Sequence, residues 1–126
     1  MLDRWIENGL QEVLDEEGIG SIAFCPLAQG LLTGKYLLDT PQGARLASRE
    51  IPEASLKKVR LLNDFAAQRG QSLAQMALAW VLRGGKVTSA LIGASRFSQI
   101  EENAGALSNL EFSKEELDGI DGILGM

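Results

Sequence analysis

The chain contains no histidine, a single cysteine, a single tyrosine and only three prolines. Without histidine it cannot build a histidine-based catalytic triad, and no metal site is expected, because zinc centres lean heavily on imidazole ligands. One cysteine, Cys25, excludes an internal disulfide and suits a reducing compartment. No apolar run approaches the ~20 residues that a membrane helix needs, so membrane insertion is not expected. The opening Met-Leu-Asp-Arg-Trp lacks the basic and apolar regions of a signal peptide, and a cytoplasmic location follows as the expectation. Basic residues are also scarce, with 12 Lys and Arg against 17 Asp and Glu. That balance argues against a nucleic-acid partner held by phosphate neutralisation. It leaves room for a small anionic ligand, whose affinity depends on a local pocket rather than on net charge.

The 126 residues, 45% hydrophobic and 23% charged, match one globular domain over 1–126. Leu2, Trp5, Ile6, Leu10, Val13 and Leu14 form a helical apolar stripe, weakened by Gly9 and ended by Gly18. Residues 21–25, Ser-Ile-Ala-Phe-Cys, read as a short strand of the kind buried on both faces of a parallel sheet, stopped by Pro26. Residues 26–52 keep no period and hold all three prolines, which marks a long loop of the functional kind. Helices are predicted over 54–69 and 73–83, the second capped by Ser72 and closed by Gly84 and Gly85. A strand over 87–92, a helix over 99–107 and a last helix opened by the capping box Ser113 to Glu116 complete the chain.

Alternating strands and helices indicate an α/β protein with a parallel sheet. Two strands leave both sheet edges unpaired and enclose no core. The chain is therefore expected to be the end of a larger barrel or open sheet, or else to assemble with copies of itself.

The stretch Ala90 to Asn103 has the densest chemistry. An apolar strand ends at Gly93, a polar turn follows, and a helix opens behind it, the arrangement by which folds offer anion sites. Arg96, Ser95, Ser98, Gln99, Glu102 and Asn103 crowd into it. Blander assignments exist for each. Ser95 and Ser98 are also good helix caps; Arg96 with Glu102 also makes an ordinary surface pair. Lys35 and Arg45 also suit a solvated loop, Cys25 a small buried position at a strand end, and Trp5 and Trp80 the core or a subunit contact.

Residues 25–36, Cys-Pro-Leu-Ala-Gln-Gly-Leu-Leu-Thr-Gly-Lys-Tyr, followed by Ala77-Leu-Ala-Trp80, Leu91-Ile-Gly-Ala-Ser-Arg96, Gln99, Glu102 and Asn103, resemble the aldo-keto reductase family. The resemblance is to the branch containing bacterial glyceraldehyde-3-phosphate reductases and potassium-channel β subunits, and runs over essentially the whole chain. It implies the C-terminal portion of a (β/α)8 TIM barrel, from about helix six to helix eight plus the C-terminal helix. The loops after strands seven and eight are then the barrel's phosphate-binding loops. The implied cofactor is NADP(H) and the implied substrate a small carbonyl compound. Pro26, Leu27 and Ala28 resemble the cradle around the cofactor pyrophosphate; Lys35 resembles a lysine that reaches cofactor phosphate, and Arg45 an arginine later in that loop. Gly93, Ser95 and Gln99 resemble cofactor-lining positions. Arg96 corresponds to the residue that pairs with the adenosine 2′-phosphate, where a guanidinium suits better than an ammonium. Glu102 and Asn103 are similar to the pair around the adenine and its ribose.

The resemblance also implies what is missing. The family's catalytic aspartate, tyrosine, lysine and histidine lie on earlier strands, so no catalytic residue is assigned in this chain. Lys35 and Tyr36 are not assigned as the catalytic pair, because adjacent side chains project differently and the match is to the phosphate loop. Three readings follow: the NADP-binding part of a reductase that needs its N-terminal part, an NADP(H)-holding accessory subunit, or a non-functional truncated reading frame.

Overall fold

A computed structural model describes residues 1–37 and 51–126. A 3-10 turn at Trp5–Glu7 leads into helix α1 (Leu10–Glu16), strand β1 (Ile22–Phe24) and an irregular 3-10 segment, Ala28–Thr33. Helices α2 (Glu53–Gln68) and α3 (Leu73–Leu82) follow, then strand β2 (Ser89–Leu91), helix α4 (Phe97–Ala104) and helix α5 (Lys114–Gly125). The strands run parallel in the register Ile22 to Ser89, Ala23 to Ala90 and Phe24 to Leu91. Parallel strands need a long crossover, and α2 and α3 lie within it.

Helix α3 is the centre of the molecule. Eight of its ten residues are buried, and a helix apolar on all sides belongs inside. It touches α2, α4, β2 and the 3-10 segment. Val59, Leu62 and Ala66 of α2, spaced three and four apart, are fully buried, as are Met76 of α3 and Ile120 of α5. Each of the larger of these side chains contributes about 1.5–3 kcal/mol on burial. Ser72 caps α3 reciprocally: its Oγ accepts the Gln75 N–H at 3.3 Å, and Gln75 Oε1 accepts the Ser72 N–H at 3.0 Å. The end of α2 is clamped to the start of α5 through Arg69. Its guanidinium stacks 3.7 Å from the Phe112 ring centroid, donates to the Glu111 carbonyl at 2.9 Å and pairs with Glu116.

Three expectations are corrected. The first helix is not continuous: Gly9 adopts φ +98° and splits the stripe into the 3-10 turn and α1, neither of which buries a residue. Glycine enters that left-handed conformation freely, and of the stripe's residues only Ile6 and Leu14 are even half-buried. Strand β1 is not buried on both faces, since Ile22 and Phe24 are exposed while Ala23 between them packs on the core. Helix α4 begins at Phe97 and gives way to a 3-10 turn, Gly105–Ser108, rather than running over 99–107.

Candidate functional site

The register places Phe24 opposite Leu91, so the turns after β1 and β2 emerge from the same end of adjacent parallel strands. After β1 the chain folds tightly, with the Ala28 N–H donating to the Cys25 carbonyl at 3.0 Å and the Gly30 N–H to the Leu27 carbonyl at 2.9 Å. Cys25, Ala28 and Gln29 have φ of 52°, 48° and 57°. Non-glycine residues in this left-handed region cost roughly 1–2 kcal/mol each, and such strain gathers at ligand-holding turns. Pro26 is buried, and Leu27 and Ala28 rest on the core, which fixes the turn in place. Cys25 itself is exposed, contrary to the buried position expected for it, because the turn swings it out at the strand end.

Lys35 is exposed and folds back across Gly30, where an added Cβ would lie 2.5 Å from the lysine Cε. Its ammonium sits over the Tyr36 ring, 5.0 Å from the centroid. Lysine and tyrosine thus meet through a ring face. Arg45 lies outside the described residues.

After β2, Gly93 through Arg96 are exposed. Gln99 reaches back to organise them: its Oε1 accepts the Ser95 N–H at 2.8 Å, the Arg96 N–H at 3.2 Å and the Ser95 hydroxyl at 3.3 Å. The cap on α4 is therefore Gln99, not Ser95 or Ser98. Two backbone N–H groups of the turn are consumed by this amide, so its anion-binding capacity rests chiefly on the Arg96 guanidinium. Among the described residues, no ion pair engages Arg96 or Glu102, and the surface pair weighed for them does not form. An exposed guanidinium without a carboxylate partner beside a hydroxyl fits a phosphate-bearing ligand.

Glu102 is exposed, whereas Asn103 is buried and lines a groove of about 280 Å³ between α3, β2 and α4. Gln75, not singled out from the sequence, donates its side-chain amide to the Glu102 carbonyl at 2.9 Å and so ties α4 to the start of α3. The Ser72-x-x-Gln75 spacing signals its capping role; nothing local signals its reach to α4.

The aldo/keto reductase family profile matches residues 1–124. This chain belongs to the aldo/keto reductase family. It is 53% identical to the L-glyceraldehyde 3-phosphate reductase of Escherichia coli (strain K12), over 96% of this chain and 38% of that protein. Protein tas of the same organism is 39% identical over 98% of this chain and 37% of its own length. A protein of Oryza sativa subsp. japonica, named "Probable voltage-gated potassium channel subunit beta", is 33% identical over 94% of this chain and 39% of that protein. The structure of the glycerol dehydrogenase from Gluconobacter oxydans superposes with a TM-score of 0.82 at 28% identity, covering 98% of this chain and 39% of that one. This aldo/keto reductase chain thus spans under two-fifths of the length of the relatives it matches, and its two parallel strands with their helices are part of a (β/α)8 barrel. Among the described residues, no helix is long and apolar enough to cross a membrane.

Proposed function

We propose that residues 1–126, as one partial barrel domain, hold the phosphate and adenosine end of NADP(H) for an aldo-keto reductase acting on small aldehydes or ketones in the cytoplasm. The observation that carries this reading is the emergence of two ordered turns, Cys25 to Gly30 and Gly93 to Gln99, at one end of adjacent parallel strands. In such barrels, phosphate-bearing ligands sit at this end. Pro26, Leu27 and Ala28 provide a rigid backbone wall for a pyrophosphate; Lys35 and Arg45 supply charge from the same loop. Arg96 takes the 2′-phosphate, with Ser95 and Gln99 fixing the turn beside it, Gly93 leaving it open, and Glu102 and Asn103 on the adenine side. When bound, NADPH supplies the hydride, and the chain's own task is to position it. The catalytic acid and its partners are not assigned to residues of this chain, so it turns over no carbonyl compound by itself.

The resemblance to the rice protein named as a channel β subunit supports a second reading, an accessory subunit that holds NADP(H) without reducing a substrate. Fluorescence titration of the chain separates these ideas from no binding at all. Saturable binding of NADPH is expected, and no saturation below millimolar ligand overturns both. Arg96→Ala is expected to weaken NADPH about tenfold or more, the value of a charge-assisted bond, and NADH far less. Equal losses remove the 2′-phosphate assignment. Oxidation of NADPH with a small aldehyde above the enzyme-free rate refutes the claim that the chain alone is inactive.

A further inference from the structure

Helix α4 has little apolar anchorage. It is eight residues long, buries only Asn103, and contributes no side chain to the hydrophobic core. A helix this short is marginal in water unless contacts from outside hold it. Two glutamine amides act at its two ends. At the start, Gln99 gathers the Ser95 and Arg96 N–H groups. At the end, Gln75 of α3 donates its Nε2–H to the Glu102 carbonyl at 2.9 Å. Among the described residues, this is the one side-chain hydrogen bond that α4 receives from another helix or strand. The Gln75 amide is itself pinned. Its Oε1 accepts the Ser72 N–H at 3.0 Å, and its backbone belongs to the buried helix α3. Gly105 has no side chain to displace it, since an added Cβ there would stand 2.6 Å from Gln75 Nε2.

A pinned donor fixes the carbonyl it addresses. The Glu102 carbonyl lies in the last turn of α4, where intrahelical donors run out, and its peptide continues into Asn103. One bond from Gln75 therefore sets where both residues stand. Arg96, at the other end of α4, is about 9 Å away along the axis at 1.5 Å per residue. We infer that Gln75 is a positioning residue for the adenosine moiety of a bound dinucleotide. It orients Glu102 and Asn103 and acts through them, while Gln99 orients Arg96. The inference rests on the proposed placing of adenine beside Glu102 and Asn103. It divides the labour of α4. Loosening the first turn falls on the 2′-phosphate and so separates NADPH from NADH. Loosening the last turn falls on adenosine, which both dinucleotides carry, and leaves their ratio unchanged.

The test titrates the chain and three variants with NADPH and NADH, at a temperature where circular dichroism shows each of them folded. Gln75→Glu keeps the acceptor for Ser72 and removes the donor to Glu102. Both dinucleotides are expected to bind about three- to tenfold more weakly, the worth of one hydrogen bond. Gly105→Ala displaces the Gln75 amide without adding charge and is expected to show the same loss, with the NADPH to NADH ratio of the parent. Ser72→Ala removes the hydroxyl that caps α3 but leaves the bond to Glu102 in place. It is expected to lower the melting temperature and to bind as the parent does. Parent affinity in both Gln75→Glu and Gly105→Ala overturns the inference. So does a loss in Ser72→Ala equal to theirs, which would make the effect one of fold stability. A changed NADPH to NADH ratio in Gly105→Ala also overturns it, by putting the influence of Gln75 at the 2′-phosphate. These three outcomes leave the proposed function standing. A parent chain that binds neither dinucleotide removes that function and the inference with it.

Discussion

Gln75 uses both ends of one amide: its carbonyl accepts the Ser72 N–H at 3.0 Å, and its Nε2 donates to the Glu102 carbonyl at 2.9 Å. A helix cap is thereby also a strut, holding α4 against the buried helix α3. Gly105 leaves the space for it, since an added Cβ there would stand 2.6 Å from Gln75 Nε2. Gln75→Ala removes both bonds and is expected to cost about 1–2 kcal/mol in denaturant unfolding. Gln75→Glu keeps an acceptor for Ser72 but loses the donor to Glu102. It is expected to retain the cap and still loosen α4, read as faster amide exchange in 97–104. Unchanged exchange in Gln75→Glu would remove the strut.

Gln99 gathers the turn after β2 as Gln75 gathers the start of α3. Gln99→Ala releases the Ser95 and Arg96 N–H groups to water. On the proposed reading it weakens NADPH by loosening the turn that aims Arg96. Gln99→Glu keeps every acceptor but puts a negative charge on the group that accepts the Arg96 backbone N–H. Its expected signature is a larger loss for NADPH than for NADH, measured by titration at one ionic strength. A carboxylate without effect on that ratio would mean that Arg96 does not face the 2′-phosphate.

The turn after β1 carries its strain at Ala28 and Gln29, both in the left-handed region. Gln29→Gly relieves steric cost but adds chain entropy to the unfolded state, and the two nearly offset, leaving stability within about 1 kcal/mol of the parent. Ala28→Val has no such offset, because a β-branched side chain is worst in this conformation, and is expected to destabilise by more than about 1 kcal/mol. Equal melting temperatures for the two variants would show that the turn relaxes freely and holds no fixed shape.

Long-period features were legible in the sequence because they depend on local chemistry. The α2 stripe, the Ser72 and Ser113 caps and both strands fall close to where spacing puts them. Family motifs located both turns. What failed depended on covering layers. The stripe from Leu2 to Leu14 promises a buried helix only if something packs on it, and β1 reads as buried only if its second face is covered. The capping of α4 was hidden for a different reason: serine, the alternative weighed for this turn, is the commoner cap, and only the folded turn shows Gln99 reaching both N–H groups. The cluster around Trp80 was invisible, since it joins Arg4, Glu7 and Arg83 across the chain.

That cluster makes stability depend on pH. The Glu7 carboxylate accepts from Arg4 Nε at 2.7 Å and from Arg83 Nη2 at 2.8 Å, and both guanidiniums lie over the Trp80 ring, at 5.1 and 3.5 Å from its centroid. Burial raises the Glu7 pKa, but the hydrogen bonds and charges of the two arginines outweigh it and hold the carboxyl below its ordinary value of 4.5. Unfolding returns it to that value, so the unfolded state binds the proton more readily. The stabilisation from Glu7 is accordingly complete at pH above 4.5 and is lost as pH falls through the lower folded-state value. Glu7→Gln keeps a side-chain acceptor and removes the charge. At pH 7 it is expected to be less stable than the parent by about 1–2 kcal/mol, with urea unfolding as the measure. At about pH 3, below the ordinary value of 4.5, the difference is expected to shrink, because the unfolded parent takes up a proton there and the unfolded variant does not. A gap of equal size at both pH values would show that Glu7 acts there by shape alone, without its charge.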